Sequence, residues 1–139
     1  EIAFNIDEWS KIISDASAVI YQFPFYWMSA PSLLKKWQDE VFTFLSKTPA
    51  VAGKPLTVVT TTGSEYEAYR SGGRNRFTTD ELLRPYQVNA IHSGMSWQTP
   101  IVVYGMGTAD AGKNIAEGAN LYKQRVEMLI GNSNAGNNW

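Results

Sequence analysis

The chain has 139 residues, a formal net charge of −1, one histidine and no cysteine. That length suits one domain with a buried core. Without cysteine there are no disulfides, thiol nucleophiles or thiolate metal sites, and the scattered lysines and arginines form no basic patch for nucleic acid or an anionic membrane surface. No segment approaches the roughly 18 continuous apolar residues of a membrane span, and no basic stretch followed by an apolar one resembles a leader. A cytoplasmic protein in a reducing compartment is the expectation.

Asn5 and Glu8 stand at the spacing of a capping box, and Ile6, Trp9, Ile12, Ile13 and Ala16 then share one helical face, so a short helix is predicted. Ala18 to Phe23 is apolar and too short for a globular helix. So are Leu56 to Thr61 and Ile101 to Met106, and all three read as strands of a parallel sheet buried on both faces. Pro31 suits a first helical position. After it Leu33, Leu34, Trp37, Val41 and Leu45 form an apolar stripe, while Lys35 and Lys36 stand four residues before Asp39 and Glu40. A weaker helical pattern from Asp80 to about Ala90 is interrupted by Pro85, and a last helix is predicted from Asn114 to Ile130. Gly131 to Asn138 is almost entirely Gly, Asn, Ser and Ala, so 1–130 is read as the single domain and 131–139 as a flexible tail. Strand alternating with helix implies right-handed crossovers, hence a three-layer α/β/α fold around a parallel sheet.

In such sheets ligands gather beyond the carboxyl ends of the strands. The first strand leads into Pro24-Phe25-Tyr26-Trp27-Met28, the second into Thr61-Thr62-Gly63-Ser64, the third into Gly105-Met106-Gly107. Phe25, Tyr26 and Trp27 can wall a flat conjugated ligand, while Thr61, Thr62 and the amides around Gly63 can donate to its polar edge. The competing reading is that the rings only fill the gap between helix and sheet. Gly107 to Lys113 matches the phosphate-loop pattern GxxxxGK, but Asn114 occupies the position where magnesium needs Ser or Thr. Tyr66 to Asn75 reads as a loop over the same strand ends, a candidate lid that could present the Tyr69 phenol. His92 is expected to be a satisfied structural histidine.

In order along the chain, QFPFYWMSAPSLLKKWQDEV (22–41), Thr61-Thr62-Gly63, ELLRPYQ (81–87), Gly94-Met95 and YKQR (122–125) resemble the flavodoxin-like NAD(P)H:quinone oxidoreductases. That group includes DT-diaphorase, modulator of drug activity B, general stress protein 14 and the ancillary subunits of glutathione-gated potassium efflux systems. The resemblance implies a flavin, FMN or FAD, with Pro24 to Met28 along the ring and Thr61 to Gly63 at its pyrimidine edge. It implies NAD(P)H as hydride donor, a quinone as acceptor in a ping-pong cycle, and a homodimer; the alternative it carries is a regulatory subunit that binds a potassium-efflux transporter. Tyr69 falls on an active-site tyrosine of the group, and Asn75 on its partner histidine, which puts a proton relay in doubt. An aromatic insertion that lines the pocket in the group is shortened here between Phe42 and Gly53. The group's first strand and phosphate-binding loop have no counterpart before Phe4; that strand is expected beside Ala18 to Phe23.

Overall fold

The computed structural model describes residues 3–135, with side chains described to residue 131. α1 (Ile6–Asp15) starts where Asn5 Oδ1 accepts the Glu8 backbone N–H at 3.1 Å. β1 (Val19–Pro24) leads to α2 (Ser32–Trp37), a π-helical turn (Gln38–Phe42) and a last helical turn, α3 (Thr43–Leu45). β2 (Pro55–Thr61) is followed by a 3₁₀ turn at Tyr66–Tyr69, α4 (Thr79–Leu82), α5 (Arg84–His92), β3 (Ser96–Trp97), β4 (Ile101–Val103) and α6 (Ala111–Ala135). Lys35 and Lys36 bond Asp39 and Glu40 as their spacing implies.

Every strand pairing is parallel, with β2 in the middle. β1 lies along one side of β2, from Val19 opposite Leu56 to Pro24 opposite Thr61. On the other side β3 and β4 follow one another, Leu56 opposite Trp97 and Val59 opposite Ile101. The offset grows by one residue across Gln98–Pro100, where Pro100 has no N–H to give the ladder. That break separates Ser96–Trp97 from the third apolar run, so it escapes a reading based on run length; β4 itself ends at Val103, short of the expected Met106, where Gly105 turns the chain at φ +78° and gives its N–H to the Ser64 carbonyl.

One face of the sheet carries α1, α2, the π turn and α5 over Val19, Tyr21, Phe23, Leu56 and Val58. On the opposite face Tyr122 of α6 packs with Val59, Ile101 and Val103. Gly118 brings α6 so close that a Cβ there would stand 2.3 Å from Val103 Cγ2. β2 is buried on both faces, as expected, but β1 alternates: Val19, Tyr21 and Phe23 are buried while Gln22 and Pro24 are exposed. Along the outer edge of β1, which pairs with no described strand, runs an apolar groove of about 500 Å3 lined by residues including Trp9, Ile12, Leu34 and Trp37.

Pro85 splits the weak helical segment at Leu83 instead of abolishing it, and takes the start of α5, where its missing N–H costs nothing. α4 has a complete capping box that the sequence reading did not register: Thr78 Oγ1 accepts the Glu81 N–H while the Glu81 carboxylate accepts the Thr78 N–H. α6 runs on to Ala135, past the Ile130 at which the last helix was expected to end and into the segment read as a tail. The rest of that expectation lies outside the described residues.

Candidate ring-binding site at the strand tips

The two aromatic and threonine loops leave the sheet side by side. Pro24 sits opposite Thr61, and the Phe25 N–H donates to the Thr61 carbonyl at 2.9 Å, one rung past the end of β1. The chain then turns back within four residues. Tyr26 and Ser29 exchange both backbone hydrogen bonds, at 2.8 and 3.0 Å, around Trp27 with φ +47° and Met28 with φ +63°. Two positive φ values in succession are the arrangement of a type I′ turn, which Asn and Gly make easily. For side chains with a Cβ each costs about 1–2 kcal/mol.

That strain produces a protruding ring. Trp27 is 98 % exposed and Tyr26 60 %. An indole held in water by a strained backbone contributes nothing to the core, and strain of this kind concentrates where something binds. The N–H groups of Trp27 and Met28 make no hydrogen bond among the described residues, and neither do those of Gly63 and Ser64 on the adjacent loop. A bare aromatic face and these unused backbone donors thus lie on the two loops that the Phe25–Thr61 bond joins. Phe25 is half-buried, its ring 6.1 Å from that of Tyr69.

The threonine loop is fixed from behind. Thr62 is fully buried, its N–H donating to the Val103 carbonyl and its hydroxyl to the Ser64 carbonyl. Its polar groups therefore hold the loop, while the half-buried Thr61 and the exposed Gly63 face outward. Gly105, Met106 and Gly107 donate their N–H groups to Ser64, Thr62 and Gly63. Within the phosphate-loop match the Gly107 N–H is spent on the neighbouring loop, those of Thr108, Asp110 and Ala111 are spent on Gly105 and Thr108, and Lys113 turns to Glu117 at 3.9 Å.

Tyr69, whose phenol the candidate lid is read as presenting, is 5 % exposed, its ring between Phe25 and Tyr104 at 6.1 and 5.9 Å. The candidate lid is pinned to its own root: Arg74 bonds Glu65 at 2.7 and 3.3 Å and Ser64 Oγ at 2.8 Å. The Glu65 backbone N–H and Arg74 together hold the Glu65 carboxyl below the ordinary range. Gly73 closes the loop where a Cβ would fall 2.3 Å from the Glu67 carbonyl oxygen. Asn75 donates its N–H to the Ala68 carbonyl, and its Nδ2 is buried with no hydrogen-bond partner. Tyr69 and Asn75 thus share one tightly folded loop. Burial raises the pKa of Tyr104, whose hydroxyl bonds Thr79 Oγ1 at 2.6 Å. His92, expected to be satisfied, is exposed at the end of α5 and makes no hydrogen bond among the described residues. No cluster of His, Asp or Glu among those residues has the geometry of a metal site.

A family model described as flavodoxin-like fold matches residues 3–126. The chain belongs to this flavodoxin-like family. It is 36 % identical over 130 residues to general stress protein 14 of Bacillus subtilis (strain 168), covering 91 % of this chain and 74 % of that protein. It is 36 % identical over 104 residues to the glutathione-regulated potassium-efflux system ancillary protein KefG of Cronobacter sakazakii, covering 72 % of this chain but 56 % of the relative. The structure of general stress protein 14 from Treponema denticola in complex with FMN superposes with a TM-score of 0.81 at 27 % identity, over 91 % of this chain and 74 % of that one. Other similar chains carry the names NAD(P)H oxidoreductase and NADPH-quinone reductase. The chain therefore spans between about half and three quarters of the relatives it matches.

The site fits a flavin on its own geometry. An isoalloxazine needs a flat apolar wall and donors along its pyrimidine edge, and the exposed Trp27 ring and the free amides at Trp27, Met28, Gly63 and Ser64 are of those two kinds.

Proposed function

We propose that this chain carries the ring-binding part of a flavin-dependent NAD(P)H:quinone oxidoreductase, with FMN preferred over FAD because the similar Treponema protein holds FMN. The observation that carries the reading is the strained turn that lifts Trp27 out of the core beside unpaired N–H groups. A flavin held by Trp27 and the Gly63 and Ser64 amides would supply hydride transfer between a nicotinamide and a quinone. Trp27 forms the wall that keeps donor and acceptor stacked in contact distance, which is the positional part of catalysis. The amides of Gly63 and Ser64 meet charge that develops on the ring's polar edge. Thr61 lines that edge, Thr62 and Pro24 hold the two loops in register, and Phe25 with Tyr69 closes the floor. Tyr26 and Met28 flank the wall. Asn75 cannot relay a proton as an imidazole does.

An open platform with a fully exposed indole lacks a second wall. A homodimer in which the neighbouring subunit closes the slot is part of this proposal, as is a cytoplasmic location with access to NAD(P)H. No described helix is long and apolar enough to cross a membrane. The groove along β1 has the length and apolar lining for one further parallel strand, the place the family resemblance reserves for the domain's first.

The similarity to KefG supports a second reading, in which the same fold binds a potassium-efflux transporter and any flavin is regulatory. Stopped mixing of flavin-loaded protein with NADPH and then a simple quinone separates the two. Bleaching and recovery of flavin absorbance within each half-reaction supports the enzyme, and flavin that stays oxidised supports the regulatory subunit.

A further inference from the structure

We propose that Tyr86 is a positioning residue for Trp27. The inference rests on reading the Trp27 turn as the wall of the ring site, and it concerns how that wall is held.

Because Trp27 is almost wholly exposed, no side-chain contact fixes its orientation. The backbone of the turn must do so alone. The reciprocal bonds between Tyr26 and Ser29 close the turn on itself but do not tie it to the sheet. Its two feet do. The entry foot is the Phe25 N–H on the Thr61 carbonyl of β2. The exit foot is the Ala30 N–H, which donates to the Tyr86 hydroxyl of α5 at 3.2 Å, with Ser29 Oγ 3.5 Å from the same oxygen.

Tyr86 suits this task. It is 5 % exposed, and its ring packs at 5.3 Å from Phe23 and 6.2 Å from Tyr21, both on β1. The hydroxyl is therefore a hydrogen-bonding point at the end of a rigid ring set by the core. A turn with two residues in the left-handed region persists only when its surroundings over-determine it. Removing one foot leaves Trp27 and Met28 free to relax toward negative φ, which swings the indole away.

The experiment uses the whole chain labelled with 5-fluorotryptophan, the Trp27 resonance being assigned through Trp27→Phe. Tyr86→Phe keeps the packing and deletes the anchor. Thr57→Val is the control, because Thr57 loses a comparable buried bond, to the Thr99 carbonyl, at the opposite end of β2. In Tyr86→Phe the Trp27 fluorine signal shifts or broadens and the FMN dissociation constant rises about fivefold or more; Thr57→Val moves neither, at a similar melting temperature. Ser29→Ala, which removes the weaker contact, gives a smaller shift of the same signal. An unchanged Trp27 signal in Tyr86→Phe, or an equal change in Thr57→Val, overturns the proposal. Should the unmodified chain bind no FMN, the ring-site reading fails by itself and the fluorine signal still decides the role of Tyr86.

Discussion

The Phe25 N–H reaches across to the Thr61 carbonyl at 2.9 Å, and this bond joins the aromatic loop to the threonine loop. Through it the last residues of two parallel strands become one surface. A shift of either loop therefore strains its bond to the other.

Trp27 works against stability. Replacing it with Gly, which takes φ +47° without a Cβ penalty, is expected to stabilise the fold by about 1 kcal/mol while weakening FMN binding at least tenfold. Urea denaturation alongside flavin titration checks the opposite signs. A variant that lost stability and kept its affinity would return the ring to an ordinary structural role.

Gly118 makes a different statement about packing. A Cβ at this position meets Val103 Cγ2 at 2.3 Å, so Gly118→Val pushes α6 off β4 and should cost about 1–3 kcal/mol in chemical denaturation. Gly131→Val on the same helix, where nothing lies within 4 Å, should cost far less.

The capping box predicts a pH dependence. Bonds from the Thr78 backbone and hydroxyl hold the Glu81 carboxyl below its ordinary value of 4.5. A carboxyl depressed in the folded state adds stability that is present above the unfolded value and lost as pH falls through the folded one. The stability difference between the parent and Glu81→Ala should therefore be constant near neutrality and shrink below about pH 4.5. A difference that grew on acidification would contradict the assignment.

Arg74 restrains the loop that carries Tyr69. The Arg74–Glu65 pair is solvent-screened, so Arg74→Ala should leave global stability nearly unchanged. Hydrogen exchange across 64–77 should nevertheless quicken, because Arg74 bonds both Ser64 and Glu65 from ten and nine residues away. Unaltered exchange would mean that Gly73 and the core contacts of Tyr69 hold the loop unaided.

Much of this architecture was legible because the strands are apolar runs of the right length, and because Pro24 and Thr61 close two of them at matching positions. The location of the candidate site was read from the order of the strands together with the family resemblance. What could not be read depends on contacts distant in sequence. Ser96–Trp97 is too short to carry a pattern, and β1 alternates because of which helix lies over which face. The positive φ of Trp27 and Met28 was invisible since sequence signals for that conformation are Gly and Asn, and here tertiary bonds impose it on bulky residues. Tyr86 sits 56 residues from Ala30, so no local pattern announces the bond between them. Thr62 was read as a ligand donor from its residue type and the family resemblance, while its hydroxyl bonds the Ser64 carbonyl and its amide the Val103 carbonyl at the end of β4.

The most direct measurement is the titration of FMN into the chain and its Trp27→Ala variant, followed by flavin fluorescence and visible absorption. A ring slot at the tips of β1 and β2 predicts saturable quenching in the parent, weakened at least tenfold in the variant. Equal affinity in the two proteins, or no binding in the parent, would contradict it.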